Sequence, residues 1–160
     1  RIRFPWALFV RAVLLTATAS LAGMAANWIR PNPVPWVGDW SNHVETVAIR
    51  EGFRILPMSL VRSLLADGKT IFLDARSAAD YAQGHLPGAL SAPADDVASH
   101  FGELQAFFDR EQPMVVYCSS DTCDEALLLL RFLRGQGYTD TALLLGGFEG
   151  WRQMGGEVER

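Results

Sequence analysis

The sequence predicts an α/β fold: a central parallel sheet flanked by helices on both faces, preceded by one transmembrane helix. Three observations carry this. Short apolar runs rich in β-formers alternate with amphipathic stretches from Arg54 onward. Those runs are continuously apolar instead of alternating, as expected where both faces of a parallel sheet are covered. Ahead of them, Ala12 to Ile29 is free of charge, roughly eighteen positions that suffice to cross a bilayer core as a helix.

In chain order, residues 1–30 read as the anchor, with lipid contact over residues 4–29. Arg11 is placed to reach the headgroups, and Trp6 and Trp28 bracket the run where interfacial aromatics gather. The small residues of "ASLAG" and "GMAA" also suit signal-peptide cleavage, but the span is longer than a usual signal h-region. Arg1, Arg3 and Arg11 precede it, whereas Arg30 is soon followed by Asp39. The positive-inside rule then puts the N-terminus in the cytoplasm and the rest, in a bacterium, in the periplasm. Ala19, Ser20, Ala22, Gly23 and Ala26 make one side small, which would admit a helix of a membrane-protein partner; alanine is also simply common in such helices.

Residues 31–53 read as a stiff Pro/Trp-rich linker, "RPNPVPWVGDW", with Trp36 and Trp40 suited to a membrane surface, a partner or a lid on the domain. The domain occupies 54–160. "RILP" is a short strand and "MSLVRSLLADG" a helix ending at Gly68. "TIFLDAR" is a buried strand, "SAADYAQGH" a helix capped by Ser77, and "GALSAP" a brief strand. "DDVASHFGELQAFFDR" is a helix, "MVVYC" the central strand, "DEALLLLRFLRGQG" a helix, and "TALLLGG" a last strand before "FEGWRQMGG".

A net charge of −4 excludes the basic face that nucleic-acid binding requires. His43, His85 and His100 are scattered, and Cys118 and Cys123, the only two cysteines, form C-x4-C without a second pair, so neither a metal nor a cofactor is expected. In parallel sheets functional groups gather at the carboxyl ends of strands. Cys118 is at one such end, and Asp74 and Arg76 are at another. "TCDE", Thr122 to Glu125, fits a capping box, which would seat Cys118 below a helix N-terminus where a thiolate is favoured. A buried cysteine closing a core strand fits the position equally well.

"FLDARSAADYAQGHLPGALSAP" (Phe72 to Pro93), "VVYCSSDTCDEA" and "LLLGGFEGWRQMG" together resemble, in order, the signatures of rhodanese-like domains over roughly Arg54 to Gly156. The resemblance implies a sulfurtransferase whose catalytic cysteine, here Cys118, carries a persulfide, with a small sulfur compound or protein thiol as partner. Active members usually have C-x-x-G-x-R. Here Cys118, Ser119, Ser120, Asp121, Thr122 and Cys123 form the substrate loop, with Asp121 in place of the glycine and Cys123 in place of the arginine. The loop has lost its cation and has Asp121, Asp124 and Glu125 close by, so an anionic donor such as thiosulfate is disfavoured.

Cys123 could resolve a persulfide or sulfenic acid on Cys118 as a disulfide, provided the two Cα atoms lie within about 7 Å. Asp74, Arg76 and His85 are expected in support, the first two as an ion pair and His85 on backbone in the "GHLPGA" turn. Gly146 and Gly147 would turn the last strand sharply into the helix of a buried Trp151. The alternative is a catalytically silent rhodanese-like accessory subunit of a membrane complex, working through its anchor and linker.

Overall fold

The computed structural model describes residues 6–31, 33–34, 42–120 and 122–160. Arg1, Arg3, Trp36, Trp40 and Asp121, and the first two positions of the expected lipid span, lie outside them. The chain divides into two compact units, split after Gly38.

In the first unit, α1 (Trp6–Ile29) is one uninterrupted helix with no buried residue. It is long and apolar enough to cross a membrane, a test that a signal sequence near an N-terminus also passes. Thr16 and Thr18 fold their hydroxyls back onto carbonyls one turn earlier, so they place no unsatisfied donor on the helix surface. Beyond the helix end, Asn27 clamps the returning chain: its side-chain nitrogen donates to the Val34 carbonyl at 2.9 Å and its oxygen accepts from the Val34 amide at 2.7 Å.

The second unit begins earlier than the sequence suggests. The linker expected over 31–53 is shorter, because α2 (His43–Arg50) buries Val44, Val47 and Ala48 in the core, followed by Phe53. Those apolar residues are spaced i, i+3, i+4, the signature of a helix face that must be covered.

The strands are β1 (Arg54–Leu56), β2 (Ile71–Asp74), β3 (Leu90–Ser91), β4 (Met114–Tyr117) and β5 (Thr141–Leu144). They form one sheet in the order β1-β5-β4-β2-β3, and every pairing is parallel. Between them run α3 (Val61–Asp67), α4 (Ala78–Gln83), α5 (Val97–Leu104) and α6 (Glu125–Gly135), and α7 (Gly147–Gln153) follows β5. The helix expected over Asp95 to Arg110 is shorter: α5 tightens after Leu104 into a 3-10 turn, Gln105–Phe107, and Phe108 is extended. At α4 the expected cap is present, with Ser77 Oγ accepting from the Asp80 amide.

Alternation along β4 sorts the core into two layers. Met114, Val116 and Cys118 belong to the cluster built on α2, α5 and α6; Val115 and Tyr117 belong to the cluster holding Val61, Phe72, Leu86 and Trp151. Leu127, Leu129, Leu130 and Leu133 are sealed on the first face, each contributing roughly 1.5–3 kcal/mol.

Candidate functional site

The central strand β4 ends at Tyr117, and the next residue is Cys118, buried at 2% exposure. Its side chain points to the α6 face of the sheet. The loop that follows returns to that face at Cys123, and the two cysteines are joined as a disulfide with Cα atoms 6.1 Å apart, within the reach expected from the sequence.

The loop is fixed from the other side by α7. Gly146 and Gly147 both adopt left-handed backbone (φ 84° and 55°), which turns the chain abruptly from β5 into the helix. The first amides of a helix lack partners within it. Here the Phe148 amide donates to the Cys118 carbonyl at 2.8 Å and the Glu149 amide to the Ser119 carbonyl at 2.9 Å. The helix start is so close that a side chain on Gly147 would collide with the Cys118 carbonyl oxygen.

The capping box expected over Thr122 to Glu125 does not form. Asp124 precedes α6 with no side-chain cap, and the Thr122 hydroxyl pairs with Ser120 Oγ at 3.1 Å. Glu125 turns to the sulfurs instead: its Oε2 lies 2.6 Å from Cys123 Sγ and 3.6 Å from Cys118 Sγ. The loop is tied by its disulfide before the helix begins, and this brings the first helical side chain over the bridge. Sequence reasoning assigned Glu125 to the helix end; the signal it missed is a carboxylate two residues after the second cysteine. Cys118, Cys123 and Glu125 are also the cluster whose sulfur and oxygen atoms lie mutually within 4.8 Å. With the sulfurs bonded to each other, they offer no thiolate to a metal.

Ser119 is exposed, with Oγ 3.9 Å from Cys118 Sγ. It borders a cleft of about 600 Å³ shared with Arg76, Phe148, Glu149 and Arg152. No amide of the described residues donates to Cys118 Sγ in the disulfide state.

Asp74, Arg76 and His85 lie on the opposite face. Asp74 sits in register with Tyr117 on the neighbouring strand, and the Ala75 amide donates to the Tyr117 carbonyl. Strand alternation sends the Asp74 and Tyr117 side chains away from Cys118. Asp74 is fully buried and ion-paired as expected, its Oδ2 2.5 Å from Arg76 Nη2 and its Oδ1 accepting from Arg76 Nε at 2.9 Å. Arg76 also donates to the Gly84 carbonyl, and its guanidinium lies 4.1 Å from the Phe148 ring centre. Burial works against the Arg76 cation, but the bonds to Asp74 outweigh it and hold its pKa above the ordinary value. Burial, reinforced by the Asp74 carboxylate, pushes the Tyr117 hydroxyl far up, so it stays protonated.

His85 stacks on Tyr81 at 3.8 Å, with Nδ1 3.0 Å from the Tyr81 carbonyl. Its backbone pairs in both directions with Glu159, whose carboxylate accepts from the Gly88 amide at 2.7 Å. These three residues therefore brace the strand end and its flanking turn, and among the described residues none touches a sulfur. Trp151 is buried as expected, its indole donating to the Glu157 carbonyl.

A five-stranded parallel sheet with a cysteine loop just beyond its central strand makes this an α/β domain with a candidate thiol site at the carboxyl end of the sheet. The chain belongs to the rhodanese-like family, whose Rhodanese-like domain matches residues 58–154. It is 29% identical over 89 residues to the thiosulfate sulfurtransferase GlpE of Actinobacillus succinogenes, covering 56% of this chain and 75% of that protein. With human thiosulfate:glutathione sulfurtransferase it shares 30% identity over 101 residues, 57% of this chain and 86% of the relative. A crystal structure of a Lactobacillus plantarum protein superposes with a TM-score of 0.60 at 26% identity, covering 74% of this chain and 97% of that one. α1 lies outside the family match.

Proposed function

We propose that this chain is a membrane-anchored sulfurtransferase that carries sulfur as a persulfide on Cys118 and discharges it by closing the Cys118–Cys123 disulfide. The observation that carries this reading is a second cysteine within bonding reach of the family's sulfur-carrying position. Loading transfers a sulfane sulfur from a donor persulfide to the Cys118 thiolate, and the donor leaves as its thiol. In discharge, Cys123 attacks Cys118 Sγ, the bond to the sulfane sulfur breaks, and hydrosulfide leaves with the electron pair. A thiol reductant then reopens the bridge.

A thiol persulfide suits the loop better than thiosulfate, although both curated relatives described above have thiosulfate in their names. The loop arginine is replaced by Cys123, and Glu125 and Asp124 would oppose a sulfonate dianion approaching the sulfur. α1 serves as the anchor, with Arg11 on the cytoplasmic side and the domain in the periplasm, where an oxidising environment favours a disulfide resting state.

Intact mass of the full chain tests this. Brief reduction followed by a small persulfide should add one sulfur to the wild type transiently and to Cys123→Ser stably. Cyanide should remove it, and Cys118→Ser should never acquire it. The near-complete burial of Cys118 and the small-residue face of α1 favour one second reading, a silent subunit of a membrane complex. Reduced thiols that accept neither sulfur nor an alkylating label would establish that reading instead.

A further inference from the structure

Glu125 lies in the first turn of α6, where the helix dipole favours an acid, yet its carboxylate turns to the sulfurs of the bridge. Its Oε2 lies 2.6 Å from Cys123 Sγ and 3.6 Å from Cys118 Sγ, and no cation among the described residues pairs with it. The neighbouring charge, just before α6, is Asp124, which interacts with Arg131 further along the helix. A carboxylate so placed can act in two opposite ways. As a bystander it repels negative charge and makes either thiolate harder to form. As a base it takes the proton directly from a thiol within hydrogen-bonding distance.

We infer that Glu125 is the general base for Cys123 in the resolving step, an inference that rests on the sulfur-carriage reading above. In the loaded protein the Cys123 S–H donates to Glu125 Oε2 and passes it the proton as its electron pair forms the bond to Cys118 Sγ. The bond from Cys118 Sγ to the sulfane sulfur breaks, and the electron pair leaves with hydrosulfide. Hydrosulfide takes the proton back from Glu125 and departs as hydrogen sulfide. The Cys123 sulfur is oxidised, the sulfane sulfur is reduced, and Glu125 returns to its starting state. Of the two sulfurs of the bridge, Cys123 Sγ is the nearer to Glu125 Oε2, which suits a residue that must spare the loaded sulfur until the resolving thiol attacks.

The test compares wild type with Glu125→Gln, full chain in detergent, after loading with glutathione persulfide. Hydrogen sulfide release and disulfide formation are followed from pH 6 to 10. An unassisted thiol is only a few per cent ionised at neutral pH, so a base can contribute about tenfold to thirtyfold there. Release at pH 7 should therefore slow by about tenfold in Glu125→Gln, and the two profiles should converge above about pH 9, where Cys123 ionises unaided. Equal or faster release in Glu125→Gln at pH 7 would overturn the inference and leave the carboxylate a repelling bystander.

Loading is read separately, as added sulfur mass on Cys123→Ser. If no sulfur loads, the carriage reading fails by itself. The proton role is then read from closure of the Cys118–Cys123 bridge after Cys118 is primed with glutathione disulfide, where the same tenfold slowing supports it and unchanged closure overturns it.

Discussion

The two faces of the sheet at its carboxyl end use the same residue chemistry to opposite ends. On one face, Asp74, Arg76 and Tyr117 form a buried set in which the charges neutralise each other and each group has a partner. On the other, Cys118, Cys123 and Glu125 share a loop whose helix begins uncapped and whose carboxylate is unpaired with any cation among the described residues. The contrast teaches that the braced side fixes where the strand ends, whereas the loop side is held by its disulfide and by the first amides of α7. The two sets are separated by a single residue of strand alternation, Tyr117 against Cys118.

Breaking the braced side should have the largest effect. Asp74→Ala leaves the Arg76 guanidinium buried without its counterion, a loss of about 3–5 kcal/mol in denaturant unfolding of the full chain in detergent. An effect below about 1 kcal/mol would mean that Arg76 escapes to solvent and the ion pair is not needed to fix the strand end. Gly147→Ala tests the junction between the faces. It forces a side chain into left-handed backbone and against the Cys118 carbonyl, and should cost roughly 2–4 kcal/mol. Because the clash is with the cysteine itself, disulfide closure should slow in this variant, whereas an equally destabilising core change such as Leu130→Ala should leave closure unchanged.

On the loop side the expected effect is smaller. The bridge closes a ring of six residues, from Cys118 to Cys123, so reduction should cost the folded state about 2 kcal/mol by loop entropy. Cys123→Ser without reductant should match wild type with it, and adding reductant to the variant should change nothing further. A larger loss would show that the loop also carries core packing through Cys118.

What the sequence made legible follows the same division. The strands, the Ser77 cap, the Asp74–Arg76 pair and the buried Trp151 were readable because hydrophobic period and turn chemistry are local signals. α2 was hidden by the prolines and tryptophans just before it, although Val44, Val47 and Ala48 carry helical spacing. The role of Glu125 was misread because "TCDE" is an equally good capping box by composition. The choice between cap and sulfur depends on how the disulfide pulls the loop, which no local pattern records.

The smallest expected effect sharpens the comparison by placing the same carboxylate–guanidinium chemistry at the surface. Glu51, at the end of α2, accepts from Arg131 of α6 at 2.6 and 2.9 Å, and Arg134 approaches it too. The hydrogen bond from Arg131 holds the Glu51 carboxyl below its ordinary 4.5, against a contrary push from burial and with help from the charges of Arg131, Arg134 and Arg50. A depressed carboxyl contributes stability that is present above its unfolded value and lost as pH falls through the folded one. Wild type should therefore lose this increment on acidification below about pH 4.5, and Arg131→Ala should flatten that part of the profile while hardly changing stability at pH 7. In Asp74→Ala the loss should instead persist at neutral pH, because a buried guanidinium without its partner is penalised wherever it stays charged. If Arg131→Ala proved as costly at pH 7 as Asp74→Ala, burial would not be what separates the two pairs, and the docking of α2 onto α6 would have to depend on that single contact.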